Sequence, residues 1–446
     1  MNSSENIFIF RSVRQVLLGL TMTFLIYLNV AAQSSPLTLE EAIQIGIENN
    51  FQIKVEKNNQ RSNIILNHWG TAGILPVMSL NSTIGIASNS LEQELANGTL
   101  IKRDGAVLRN TNAGFIVSWR IFDGMRMFAT KKRLEELERN GELNFRRQIN
   151  SAVFDIIGTF QLILQLEQQE KGLLESIQFF EERKKIAEDR FKIGTTSKTD
   201  LLQAKTDLNL QQANLYDLKN NKKQAYTNLN HLMGRDPSIA YTVKGNIQPD
   251  TTLTIASVKE KIIAGNFDLL MAQSQLSILF QNKREIISQR LPVVTLNGNF
   301  NFSQNKNDAG FTLFSRNSGP SGNIGISIPL FNGGNIARQQ QVADVAIKTQ
   351  QLTIDQLQNQ LYRDLLNRFS VYTNALALAK LETQTLQLIE ENNMIATERF
   401  KKMTITSLEW RQIQLDLINC QTRYLNVLFT AKMAEVEMKL LAGMLK

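Results

Sequence analysis

Arg190-Phe191-Lys192-Ile193-Gly194 returns 209 residues later as Arg399-Phe400-Lys401-Lys402-Met403, and the chain around both stretches is written twice. In the same register Phe122, Gly124 and Gly234 recur as Phe331, Gly333 and Gly443. Nearer the N-terminus the offset is 216: Asn50-Phe51 returns as Asn266-Phe267, and Leu75-Pro76-Val77 as Leu291-Pro292-Val293. The offset changes once, by seven residues, inside a polar loop. Two copies of one unit imply pseudo-symmetry. The division is a leader at 1–32, a first repeat at 33–234, an inter-repeat linker at 235–253 and a second repeat at 254–446.

Each unit reads helix, strand, loop, strand, long helix, turn, helix. Thr38-Leu39-Glu40-Glu41 is a capping-box pattern that starts a helix running to about His68. Pro76 ends the helical stretch. From Val77 the period drops to two. Met78, Leu80, Ile84 and Ile86 oppose Ser79, Asn81 and Thr83; Phe115, Val117, Trp119 and Ile121 oppose Gly114, Ser118 and Arg120. The second copy sets Val294, Leu296, Phe300 and Phe302 against Thr295, Asn297, Asn299 and Asn301, and Ile324, Ile326 and Ile328 against Gly325 and Ser327. A soluble half-buried strand alternates in this way, but a membrane barrel needs the pattern in every strand, and all four comply. Polar loops are expected at about 88–112 and 303–323.

The helices are the larger object. Of seven prolines, none lies between Met125 and Phe191 or between Asn335 and Phe400. Each stretch can form one helix on the order of 100 Å long. The returning helices carry apolar seams. One follows Leu201, Ala204, Leu208, Gln211, Leu215, Leu218, Lys222, Ala225, Leu229 and Leu232. Its counterpart follows Trp410, Ile413, Leu417, Cys420, Tyr424, Val427, Ala431, Ala434, Met438 and Leu441. The three-four spacing is that of coiled-coil packing. Cys420, the only cysteine, forms no intrachain disulfide and is expected to pack as a small hydrophobe.

Arg11 and Arg14, the apolar run Val16–Val30 and the small residues Val30-Ala31-Ala32 have the form of a cleaved export signal. Beyond it no apolar run is long enough for a transmembrane helix, so membrane crossing must use strands. The net charge of +8 is spread along the chain, with no patch suited to nucleic acid. His68 and His231 stand alone, which is poor for metal or triad chemistry, and Gly-rich phosphate loops are absent. No catalytic, cofactor or metal residue is expected. Four strands cannot close a barrel, and open edges in lipid cost several kcal/mol per unpaired group. Copies must therefore pool their strands, and three copies give a barrel wide enough for a conduit.

The residues carrying a resemblance are Trp119-Arg120-Ile121-Phe122-Asp123-Gly124, Ile328-Pro329-Leu330-Phe331-Asn332-Gly333-Gly334, and Arg190-Phe191-Lys192-Ile193-Gly194 followed by Ser197, Asp200, Leu201 and Ala204. Over almost the whole mature chain this resembles the TolC-like outer-membrane efflux protein family. The resemblance implies a mainly α fold with a β-barrel portion. Long antiparallel coiled-coil helices form a periplasmic helical barrel, and four strands per chain form a trimeric twelve-stranded barrel in outer-membrane lipid. It implies a homotrimer docked to a periplasmic adaptor (a membrane fusion protein) and an inner-membrane pump in a Gram-negative bacterium. The activity implied is a passive conduit for small-molecule efflux or type I secretion, without enzymatic chemistry or a cofactor.

By resemblance, Arg190, Phe191, Gly194, Ser197 and Asp200 in the first tip, and Arg399, Phe400, Met403 and Thr406 in the second, face the adaptor. Thr404, Glu409 and Gln412 fall at the periplasmic aperture. The family tends to place two acids there, and Gln412 stands at the second place, so a weaker acidic ring is expected. Pro76, Gly124, Pro292, Gly333 and Gly334 mark strand–helix transitions. Simpler readings sit beside these. Asp200 and Glu409 are each in a capping-box pattern. Arg190 and Arg399 complement helix dipoles. Phe191 and Phe400 are tip packing or adaptor contacts. Trp119 belongs to an interfacial belt or to the core. A structural coiled coil tethered by an uncleaved Val16–Val30 helix is the alternative function; it explains the heptads but not the strands.

Overall fold

The computed structural model describes residues 36–445. The expected leader at 1–32 lies outside them. The elements run α1 (Leu39–Asn49), α2 (Phe51–Leu66), β1 (Val77–Glu94), β2 (Leu100–Asp123), α3 (Arg126–Lys192), α4 (Lys198–Leu232), α5 (Ile255–Gly265), α6 (Phe267–Ser288), β3 (Val293–Asn307), β4 (Phe314–Ser327), α7 (Asn335–Lys401) and α8 (Ser407–Leu441). The second six repeat the first six in kind and order. Both α3 and α7 are 67 residues long, and α4 and α8 are both 35.

One difference recurs in both repeats. The helix expected to run from Thr38 to His68 is broken at Asn50, where ψ is 126°. Asn266 breaks the second copy in the same way, with ψ of 119°. Each asparagine amide donates to a carbonyl at the end of a returning helix, Asn50 to Leu232 at 2.8 Å and Asn266 to Leu441 at 2.9 Å. Asn266 also accepts the Leu269 N–H at 2.9 Å and so caps the next helix. An asparagine that finds partners outside helical geometry overrides the helical pattern around it.

The described residues form two compact units: 36–50 with Asp155–Pro249 and Ala375–Met433, and Phe51–Phe154 with Asp250–Asn374 and 434–445. In the first, Ala42 of α1, Ile156, Phe160, Ile163 and Leu164 of α3, Ala225 and Leu229 of α4, and Val243 and Ile247 bury a continuous core. The inter-repeat segment joins it through a parallel bridge, Leu37 N–H to Thr242 O at 2.8 Å and Lys244 N–H to Leu37 O at 2.9 Å. A stretch of α3 is apolar enough in composition to cross a bilayer, in contrast to the expectation from the sequence, but 67% of it is buried within the protein. The α4 and α8 seams fall on the covered faces: every seam residue is buried or half-buried.

The second unit carries a single four-stranded antiparallel sheet in the order β1-β2-β3-β4. Its hairpins are longer than expected. Most of the stretches read as loops are strand, and the turns shrink to Leu95–Thr99 and Asp308–Leu313. Asn97 caps the first turn by accepting the Thr99 N–H, and Gly98 takes φ of 84°. Polar side chains at these ends do not break the ladder, because pairing is carried by the backbone; here it is interrupted only by an irregularity between Asn89 and Leu91.

Candidate functional site: the two-faced sheet and the hairpin tips

Register decides which strand residues share a face. Leu80 pairs Phe115, Phe115 pairs Phe300 and Phe300 pairs Pro320; Trp119 pairs Leu296, which pairs Ile324. This face also holds Met78, Ile84 and Ile86, and much of it is bare: Leu80 is 76% and Ile84 77% exposed. The other face is a polar ladder. Asn81 pairs Gly114, Asn301 and Gly319 in turn; Ser118 pairs Asn297, which pairs Asn323. Hydroxyl-to-amide bonds cross the strands, Ser118 to Asn297 at 2.8 Å, Ser303 to Asn112 at 2.7 Å and Ser321 to Asn299 at 2.7 Å. Bare apolar side chains on one face and amides and hydroxyls on the other suit a wall between lipid and water. Among the described residues the outer edges of β1 and β4 pair with no strand.

Pro76 and Pro292 sit just before β1 and β3. At the other transition Gly124 has φ of 72°, and a Cβ there would lie 2.3 Å from the Ser288 carbonyl, so only glycine fits. Met125 follows at φ of 69°; in the second copy both positions are glycine, Gly333 and Gly334, at 65° and 71°. Asp123 accepts the Met127 N–H at 3.1 Å and anchors the start of α3. Trp119, which the sequence left between belt and core, is 41% exposed and donates to the Ile74 carbonyl at 2.9 Å.

The tips lie in the first unit, and their backbones match. Gly194 N–H bonds Phe191 O at 3.1 Å and Thr195 N–H bonds Arg190 O at 2.9 Å; Met403 to Phe400 and Thr404 to Arg399 repeat both distances. This is a left-handed helix stop. Gly194 takes φ of 77° without penalty, whereas Met403 takes 60° with a side chain. Thr404 closes its turn by donating its hydroxyl to Arg399 O at 3.0 Å.

The two caps differ. Thr406 and Glu409 form a complete box: Thr406 Oγ1 accepts the Glu409 N–H at 3.1 Å, and Glu409 accepts the Thr406 N–H at 2.8 Å. Ser197 accepts the Asp200 N–H at 3.1 Å, but Asp200, one methylene shorter, takes hydroxyl bonds from Thr196 and Ser197 instead. Those hydroxyl bonds hold the Asp200 carboxyl below its ordinary range. For Glu409 the backbone bond from Thr406 does the same. Gln412 and Glu409 are both exposed, and Gln412 donates to Asp416 at 2.9 Å, which brings an acid onto this face one turn beyond the position read as vacant of charge.

The phenylalanines separate. Phe400 is 2% exposed and stacks on Trp410, with ring centroids 4.2 Å apart and planes at 16°; the Arg190 guanidinium lies over the Phe400 ring, 4.9 Å from its centroid. Phe191 is 40% exposed. The cause is in the sequence: Trp410 gives Phe400 a platform, and Leu201 holds the matching place in the first copy. Such a stack adds about 0.5–1.5 kcal/mol beyond burial. Trp410 also donates to Thr397 Oγ1 at 3.2 Å.

Behind the tips is a group the sequence did not reveal. Asp207 of α4 accepts from Arg183 of α3 at 2.6 Å, from Arg411 of α8 at 2.7 and 3.1 Å, and from Gln203 at 2.8 Å. Arg183 also donates to Ser407 Oγ at 3.2 Å. Asp207 flanks the seam at Leu208, which was a signal of burial, but its partners lie far away in the chain. Cys420 is fully buried as expected, yet it is more than a hydrophobe: its thiol donates to Glu382 at 3.5 Å, a carboxylate also held by Arg423.

The model of the family described as outer membrane efflux protein matches residues 68–235 and 258–444, one segment in each repeat. The chain belongs to that family. The outer membrane efflux proteins are outer-membrane channels, and the outer membrane is where this chain resides. It is 23% identical over 240 residues to Toxin and drug export protein A of Aggregatibacter actinomycetemcomitans, a match that covers 50% of this chain and 49% of that protein. The chain thus matches about half the length of that relative. The fold of the family is plain in solved structures. The outer-membrane channel OprN superposes with a TM-score of 0.74 at 15% identity, covering 91% of this chain and 89% of that one. The CmeC outer membrane channel of Campylobacter jejuni gives 0.74 at 14% identity, covering 92% and 86%.

Proposed function

We propose that the chain is one subunit of a homotrimeric passive conduit. Three copies pool twelve strands into a barrel through outer-membrane lipid, and their helices continue the duct through the periplasm. One observation carries this reading: the sheet is apolar on one face, polar on the other and, among the described residues, unpaired at both edges. Lipid leaves no water to satisfy an open edge, so only a closed ring of such sheets is stable there. The tethered coiled-coil alternative gives no use for that sheet.

The chain has no role in energy conversion or bond chemistry. Transport is driven by an inner-membrane pump through a periplasmic adaptor, which meets the exposed tip residues Phe191, Gly194, Ser197, Asp200, Met403 and Thr406. Glu409, Gln412 and Thr404 line the periplasmic aperture. The cargo is of the class in the relative's name, toxins and drugs. Purified protein in planar bilayers tests the conduit: stepwise ohmic currents support it, and a protein that inserts without conducting overturns it.

A further inference from the structure

The apolar face of the sheet does not end in neutral residues. Near the hairpin turns the register aligns Ile86, Arg109, Lys306 and Phe314 across all four strands, and one step below it aligns Ile84, Thr111, Gln304 and Arg316. Arg109, Lys306 and Arg316 are therefore neighbours on the face that carries Leu80, Phe115 and Phe300. All three are exposed. Arg109 and Lys306 stand directly opposite one another, which puts their Cα atoms about 5 Å apart. Like charges so placed destabilise a strand pair. Among the described residues no carboxylate forms an ion pair with any of the three. Arg316 bonds only a neutral partner, Gln304 Oε1 at 3.1 Å, and stands 5.4 Å over the Phe314 ring. Glu92, further toward the turn, is taken by Lys102 at 2.9 Å.

We propose that Arg109, Lys306 and Arg316 bind the phosphate groups of outer-leaflet lipid. The inference rests on the reading above, in which the sheet spans the outer membrane with its hairpin turns outside. A phosphate converts the Arg–Lys repulsion into two charge-assisted contacts, with the arginine fork taking two oxygens and the lysine acting as a point charge. Position selects a lipid as the source. The cations cap an apolar band, at the depth where acyl chains give way to headgroups, and Phe314 and Ile86 flank them on the same face. At the helix end of that face the register aligns Phe122, Val294 and Ile326 without a cation, so the charge marks one leaflet. Arg109 and Lys306 belong to the inner strands β2 and β3, so a neighbouring copy cannot pair its strand beside them to supply an acid.

The test uses the full-length protein and the double variant R109Q/K306Q in phosphatidylcholine vesicles. The vesicles are doped with bisphosphorylated lipid A or with the same lipid stripped of phosphate, and retained lipid is counted by native mass spectrometry. Wild type should retain the phosphorylated form about tenfold better, which corresponds to ~1.4 kcal/mol. The double variant should lose that preference, and R109K should keep it. Equal retention of both lipids by wild type, equal behaviour of wild type and double variant, or displacement by inorganic phosphate alone would each overturn the proposal. Conductance of the same vesicles separates the two readings. A conducting wild type with no phosphate preference defeats the lipid site and leaves the conduit standing, whereas a wild type that never conducts removes both. Should R109Q/K306Q fail to insert, K306Q alone carries the test, with partial loss expected.

Discussion

Arg411 grips the carboxylate of Asp207 with both arms, Nε to Oδ2 at 2.7 Å and Nη2 to Oδ1 at 3.1 Å, while Arg183 takes Oδ2 from the opposite helix at 2.6 Å. Residues from α3, α4 and α8 therefore meet at one nearly buried anion, whose side chain is 5% exposed. Removing the anion leaves two guanidinium groups facing each other. Asp207→Asn should destabilise this region by about 3–5 kcal/mol. Thermal melting of wild type and variant at neutral pH checks this; equal melting temperatures contradict it.

The same residue sets a pH dependence. Burial raises its pKa, but the bonds from Arg411, Arg183 and Gln203 outweigh burial and hold the carboxyl below its usual value. Its stabilising contribution is complete above the unfolded value of about 4. It is lost as pH falls from there through the lower folded value. Wild type should therefore shed stability on acidification, and Asp207→Asn should lack that component.

The matched tips offer an internal control. Gly194 and Met403 occupy the same left-handed turn, at φ of 77° and 60°. Gly194→Ala should cost about 1 kcal/mol, and Met403→Gly should relieve a similar strain. Hydrogen exchange at the amides of Thr195 and Thr404 reads each turn separately. Faster exchange at Thr404 in Met403→Gly would contradict the strain.

One substitution separates the cap that Glu409 makes from the aperture role proposed for it. Its carboxylate completes the cap on α8, and a glutamine at that position completes the same box. Glu409→Gln should leave folding almost unchanged while lowering cation selectivity, since a ring of charge concentrates counter-ions. Adding Asp416→Asn, which removes the acid that Gln412 holds, should lower it further. Reversal potentials in a salt gradient give the answer, and unchanged selectivity in the double variant removes both acids from the aperture.

Much of this architecture could be read from the chain because its determinants are local and occur twice. The strand faces follow from period-two alternation, and the α4 and α8 seams from three-four spacing. Asn50 was missed because its effect depends on the Leu232 carbonyl, which is distant in sequence. The hairpins were read too short because polar residues at a strand end look like loop until their partners are known. Asp207 was missed for a related reason: Arg183 and Arg411 lie 24 and 204 positions away, and no repeat symmetry links them. The fates of Phe191 and Phe400 were legible in principle, since Leu201 and Trp410 stand at matching places.

A sheet of four strands whose two edges are unpaired among the described residues can bound a pore in lipid only by joining other copies of itself. The mass of the full-length protein, extracted from outer membranes in mild detergent and weighed by native mass spectrometry, tests that directly. A particle of three chains that persists until the sheet is unfolded is expected. A stable single chain that still conducts would contradict it.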